Sequence, residues 1–140
     1  MLEWNQSLST GIFEIDEQHK ELFSRVNRLL AGMDENRDSD QTRELFLFLD
    51  QYVVRHFGDE ERYIARLEMR GYGEAEEHRS QHRAFTRDFN AYKADLTGSA
   101  GDALLLAEFR KFITNWWILH ITKTDRVLGA FMKENIPFIS

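Results

Sequence analysis

The chain has 140 residues, five of them histidine and none cysteine, with 42% hydrophobic and 30% charged residues and a formal net charge of -6. That length suits a single domain over 1–140 that buries its own core. The lack of cysteine excludes disulfides, thiolate metal sites and thiol nucleophiles, and the acidic balance leaves no basic stripe with which to bind nucleic acid. The opening MLEWNQSLSTG lacks the basic-then-apolar pattern of an export signal, and the longest apolar runs, such as LFLFL at 45–49, are too short to span a bilayer. A cytoplasmic protein with no membrane partner is expected.

One proline in the whole chain favours helices. Residues 1–15, including Trp4 and Ile12, read as an N-terminal arm. From Asp16 onward, His19, Phe23, Val26, Leu30 and Met33 recur at steps of four and three, the apolar stripe of an amphipathic helix. ENRDSD breaks the pattern, and Asp38 followed by Gln41 resembles a capping box opening a second helix. Its stripe is Leu45, Leu49, Tyr52 or Val53, His56, Glu60 and Ile64, ending at Arg70, Gly71 and Gly73.

The third stripe, His78, His82, Phe85, Phe89, Tyr92 and Leu96, closes at TGSAG. Ser99 with Asp102 has the form of another capping box, followed by Leu106, Phe109, Ile113, Trp116 and His120. Short connections favour antiparallel neighbours. The predicted fold is all-α, an up-down-up-down antiparallel four-helix bundle with the arm packed on it, a fold that builds cofactor sites from side chains on facing helices.

All five histidines lie on these inward stripes, at least one from each helix. A single histidine on an apolar face is more often a satisfied core residue than a ligand. Five together are different, because each unpartnered buried imidazole costs about 1–3 kcal/mol. Glu60 adds a carboxylate, which is costlier still unless it is paired or binds a metal. The stripes therefore call for cations at the bundle's centre. Imidazole and carboxylate without thiolate lean towards non-haem iron, and so many ligands exceed one tetrahedral zinc.

Two octahedral ions sharing five imidazoles, two bridging carboxylates and a solvent-derived oxygen would keep one position open. The second carboxylate has a candidate in Asp125. Five residues past His120 on an α-helix, it falls roughly 140° off that residue's face. A π-bulge, with i→i+5 bonding, would bring the two into line. The last helix is thus expected to leave α geometry between His120 and Asp125, as an overwound segment. The competing reading of Asp125 is a solvated acid beside Lys123 and Arg126.

GIFEIDEQHKELF around His19, HFGDEE at His56 and Glu60, HRSQH at His78 and His82, and WWILHITKTD at His120 and Asp125 together resemble the hemerythrin family, in particular its bacterial members, over essentially the whole chain. The resemblance implies one hemerythrin-like domain holding a non-haem di-iron centre. In it His78, His82 and His120 would bind one iron and His19 and His56 the other, with Glu60, Asp125 and an oxo or hydroxo group as bridges. Dioxygen would bind end-on at the iron with two histidines and be held as a hydroperoxide-like species, its proton supplied by the bridging hydroxide.

The sequence departs from the family pattern at several points. Glu60 and His78 are 18 positions apart, which suggests an insertion around LEMRGYG, Gly73 follows Tyr72 in place of the usual proline, and Ile64 replaces a frequent methionine. Thr122 stands where the family is more often apolar. In a dioxygen pocket its hydroxyl would admit protons or water, so Thr122→Ile is expected to slow autoxidation, whereas the local alternative is a hydroxyl bonded back to a helix carbonyl. Trp116 is read as a pocket wall, Trp117 is left open, and Asp16 and Gln18 are candidate hydrogen-bond supports for His19, Asp16 serving equally well as a helix N-cap.

The resulting expectation is reversible dioxygen binding for storage, delivery or buffering, with no catalytic residues. Two other classes rank below it. One is an oxygen, redox or nitric oxide sensor acting through an unidentified protein partner; the other is a peroxidase-like di-iron enzyme, for which no positioned acid or base is visible.

Overall fold

The computed structural model describes residues 1–35, 39–98 and 102–139. Helices α1 (Phe13–Asp34), α2 (Ser39–Glu68), α3 (Ala75–Gly98) and α4 (Ala103–Leu119) are followed by a π turn (His120–Asp125) and α5 (Arg126–Ile139). The last three run on without a break, so α4, the π turn and α5 form the fourth rod of an antiparallel four-helix bundle. Sequential helices pack together, and α1 also meets α4 and α2 meets α5, which closes the ring. No helix among the described residues is long and apolar enough to cross a membrane.

The core lies in two apolar clusters. The larger runs from Leu22 to Leu30 on α1, Phe46 to Phe57 on α2, Phe85 to Leu96 on α3 and Phe109 to Ile121 on the fourth rod. The smaller joins Ile12 and Ile15, Ile64 and Leu67, Tyr72 and Ala75, and Leu128 and Met132. Each rod places buried histidine or carboxylate residues near the boundary between these clusters: His19, then His56 and Glu60, His78 and His82, and His120 and Asp125. Four amphipathic stripes in register thus place one polar layer across the middle of an otherwise apolar interior.

The helix ends differ from expectation in three places. α1 begins at Phe13, so the arm is residues 1–12 rather than 1–15, and Asp16 is not its N-cap. Lying on the first turn, the Asp16 carboxylate instead accepts from the Thr10 amide and hydroxyl, both at 2.8 Å, and fastens the arm. α4 begins at Ala103 with Asp102 as its N-cap, accepting from the amides of Leu104 and Leu105 at 3.1 Å, so Asp102 is not the third residue of a box opened by Ser99. Ser99 and Asp38 lie outside the described residues. Finally, HITKTD is a π turn as expected, but a π turn holds more residues per turn than an α turn and is underwound, not overwound.

The LEMRGYG stretch forms a defined helix stop. The Gly71 amide bonds the Glu68 carbonyl and the Tyr72 amide the Leu67 carbonyl, with Gly71 left-handed at φ 94°, which together make a Schellman motif. Its characteristic apolar contact is between Tyr72 and Leu67, both buried in the smaller cluster. A residue with a Cβ is disfavoured at that φ, so glycine fits the stop. The consequence for the polar layer is that Tyr72 turns inward beside α3.

Candidate metal centre

α2 and α3 each supply two residues one turn apart, His56 with Glu60 and His78 with His82, so each pair shares a helix face. α1 supplies His19, and the π turn swings Asp125 onto the face of His120. None of the seven is more than 3% exposed. The sequence-predicted set is brought together without exception.

The imidazoles divide unequally. His78, His82 and His120 form a trio with ring centroids 4.7 to 5.2 Å apart, while His19 and His56 pair at 4.9 Å. Ligand atoms from the trio and Glu60 lie within 4.8 Å of one another, as do those from His19, His56, Glu60 and Asp125. Glu60 belongs to both groups. Asp125 also reaches across: its Oδ2 lies 2.8 Å from Nε2 of His19, and its Oδ1 lies 3.0 and 3.1 Å from Nε2 of His78 and His120.

Four of the five outer nitrogens have separate partners, that of His19 being buried without one. Nδ1 of His56 donates to Gln18 Oε1 at 2.7 Å, that of His120 to Gln81 Oε1 at 2.8 Å, and that of His82 to the Glu61 carboxylate at 2.9 Å. The Tyr72 hydroxyl is 3.3 Å from Nδ1 of His78. On His56, His82 and His120 these oxygen acceptors hold the proton on Nδ1 and leave Nε2 as a lone pair facing inward, the arrangement that metal-binding histidines commonly show. Inside, Nε2 of His56, His78 and His120, Glu60 Oε2 and Asp125 Oδ1 are buried without a hydrogen-bond partner. Five converging orphaned atoms of ligand type fit metal ions and no ordinary core.

The charges agree. Burial pushes the pKa of His56 down to about 4. Burial acts the same way on His78, but Asp125 and Glu60 outweigh it and raise that group to about 9; His19 is raised too, chiefly by Asp125. For Glu60, burial and the Asp125 charge oppose ionisation, yet His56, His78 and His82 hold it down to about 2. Asp125 is also held well below the ordinary carboxylate range, His120, His19 and His78 overcoming its burial. Two carboxylates thus stay anionic in the interior, and without metal the compensating positive charge is carried by protons on imidazole.

The profile of the hemerythrin HHE cation binding domain matches residues 10–132. The chain belongs to the hemerythrin family. Bacteriohemerythrin from Methylococcus capsulatus is 28% identical over 132 residues, which cover 92% of this chain and 95% of the relative. The hemerythrin-like protein of Naegleria gruberi is 31% identical over 122 residues, covering 87% and 86%. The crystal structure of a wild-type hemerythrin superposes with a TM-score of 0.78 at 21% identity, over 94% of this chain and 98% of the other, and shares the fold. A hemerythrin domain implies a non-haem di-iron centre, and the seven-residue cluster is able to bind metal.

Around this hemerythrin cluster the structure revises several neighbours. Gln18 supports His56 rather than His19, and donates its own amide to Asp59 at 2.8 Å. Trp116 stacks on His120 with centroids 4.3 Å apart and is half-buried, whereas Trp117 is wholly buried 6.0 Å from the His56 ring. Thr122 donates to the Ile118 carbonyl at 2.7 Å, the local role, and it is the adjacent Ile121 that is fully buried in the larger cluster. Sequence reading passed over Phe57, which stacks on His82 at 3.9 Å, and the supports Glu61, Tyr72 and Gln81. A helical-turn offset from a ligand on the neighbouring rod could have found Glu61 and Gln81, each of which directly adjoins a ligand in sequence.

Proposed function

We propose that this protein binds dioxygen reversibly at a di-iron centre, for storage, delivery or buffering. The observation that carries the reading is the division of the imidazoles into three and two around shared carboxylates. His78, His82 and His120 would hold one iron and His19 and His56 the other, with Glu60 and Asp125 spanning both and an oxo or hydroxo group as third bridge. The two-histidine side, with fewer protein ligands, would be the side that admits dioxygen. Iron held by these residues would supply the reversible redox chemistry that dioxygen binding requires.

The rest of the work falls to the chain. Gln18, Glu61, Tyr72 and Gln81 fix ring orientation and tautomer, so the inward nitrogens are preorganised. Trp117, packed among Phe57, Phe85 and His56, walls the two-histidine side with apolar surface and limits water there. Restricting water and protons around the ligand favours its departure as dioxygen over loss as a reduced species.

The test is spectroscopic. Iron-loaded protein, reduced anaerobically, should develop a visible charge-transfer band in air that disappears under argon through several cycles, with two irons per chain by metal analysis. One metal per chain, or zinc, would remove the di-iron reading. Immediate and irreversible conversion to the diferric form would replace a carrier with a sensor or redox role.

A further inference from the structure

We infer that Thr124 and Gln81 form a latch that sets the register of the π turn, and so positions Asp125. The Gln81 Oε1 atom accepts two hydrogen bonds at 2.8 Å, one from His120 Nδ1 and one from the Thr124 hydroxyl. A single oxygen on α3 therefore holds the turn at its first residue and at its fifth. Asp125 follows Thr124 directly. With His120 and Thr124 both fastened outward to α3, the next side chain is delivered inward, where its carboxylate meets His19, His78 and His120.

One side of the turn is loosely packed. A cavity of about 140 Å³ lies against the same stretch, lined by Lys123, Thr124, Val127, Gln81, His78 and Tyr72 among others. The turn thus has free space beside it, and Lys123 and Val127 are exposed. An α-helix through the same residues would carry Asp125 roughly 140° away from the face of His120. The π form is the rarer state and persists where the surroundings select it. Here the selecting contact is a pair of hydrogen bonds to one amide oxygen, itself steadied by the Gln81 amide donating to Glu77 at 3.3 Å.

Thr124 and Gln81 are positioning residues, since neither offers an atom to the centre. Thr124→Val keeps the shape and removes the donor; Thr124→Ser restores it. In metal-free protein, amide hydrogen exchange across 120–126 should quicken about tenfold or more in Thr124→Val and return to the wild-type rate in Thr124→Ser, with circular dichroism confirming that all three fold. Titration with Co2+ should show binding about 10–100-fold weaker in Thr124→Val, the usual penalty for losing an outer support. That arm rests on the di-iron reading, whereas the exchange arm does not, so a wild-type chain that fails to bind two metals leaves the latch to be judged by exchange. Unchanged exchange in Thr124→Val, whatever its cobalt affinity, overturns the latch, as does equal loss in the Ser and Val variants.

Discussion

Stripped of metal, the protein should be most stable near pH 6.5 and lose stability on both sides, and removing His78 should take away the larger part of the alkaline loss. His78 has an ordinary pKa of 6.5 when unfolded and about 9 when folded. Its contribution is complete below pH 6.5 and disappears as pH rises through 9, because only the folded state holds the proton in that window. A displacement of that size corresponds to roughly 3 kcal/mol. His19, raised in the same direction, adds to the loss. His56 works in the opposite sense: its folded value of about 4 lies below the unfolded one, so its contribution is complete above pH 6.5 and is lost as pH falls towards 4, again by roughly 3 kcal/mol. Urea denaturation of chelated protein at half-unit intervals from pH 4.5 to 9.5 measures both arms. His78→Gln should reduce the alkaline arm to what His19 carries while leaving the acid arm in place. A wild-type profile flat to within 1 kcal/mol between pH 6.5 and 9 would refute the claim that imidazole protons balance Glu60 and Asp125 in the metal-free protein.

Further outcomes follow from single contacts. Gln18→Leu removes the acceptor on Nδ1 of His56 and should weaken metal binding about 10–100-fold by Co2+ titration, with little change in the fold. Thr122→Ile should leave autoxidation unchanged in stopped-flow measurements, because the hydroxyl it removes is spent on Ile118, contrary to what sequence position alone suggests. Trp117→Ala should speed autoxidation and cost about 3–5 kcal/mol in denaturant melts, as a fully buried aromatic is lost. Gly129→Ala should cost about 1–3 kcal/mol and expose the arm to proteolysis, since a Cβ there would collide with the Thr10 carbonyl.

The ligands were legible because two independent demands met in the same positions. Helical period puts His19, His56, His78, His82 and His120 inside, and desolvation makes such a collection untenable without cations. Their supports were harder to read for a geometric reason. Successive helix residues diverge by about 100°, so Gln18 cannot turn back to its neighbour His19 and instead meets His56 on α2. The choice between Trp116 and Trp117 was open for a related one. Both lie one turn before His120, and only the way α4 packs on α2 and α3 decides that Trp117 is enclosed while Trp116 covers the outer side of His120.

HITKTD is the instructive case, since there the two demands conflict. Helical period alone assigns Asp125 to the surface, beside Lys123 and Arg126, and the coordination chemistry assigns it to the centre. Chemistry prevails in the structure through a π turn, yet the ligands themselves do not explain how that turn is held before any metal arrives. The explanation lies with Gln81, which from the sequence is only the residue between Ser80 and His82. Its oxygen receives both His120 and Thr124 and so converts a local departure from α geometry into a fixed direction for Asp125. A preorganised carboxylate of this kind lets the fold specify the centre in advance, with protons on His19 and His78 holding the place of the positive charge that metal would bring.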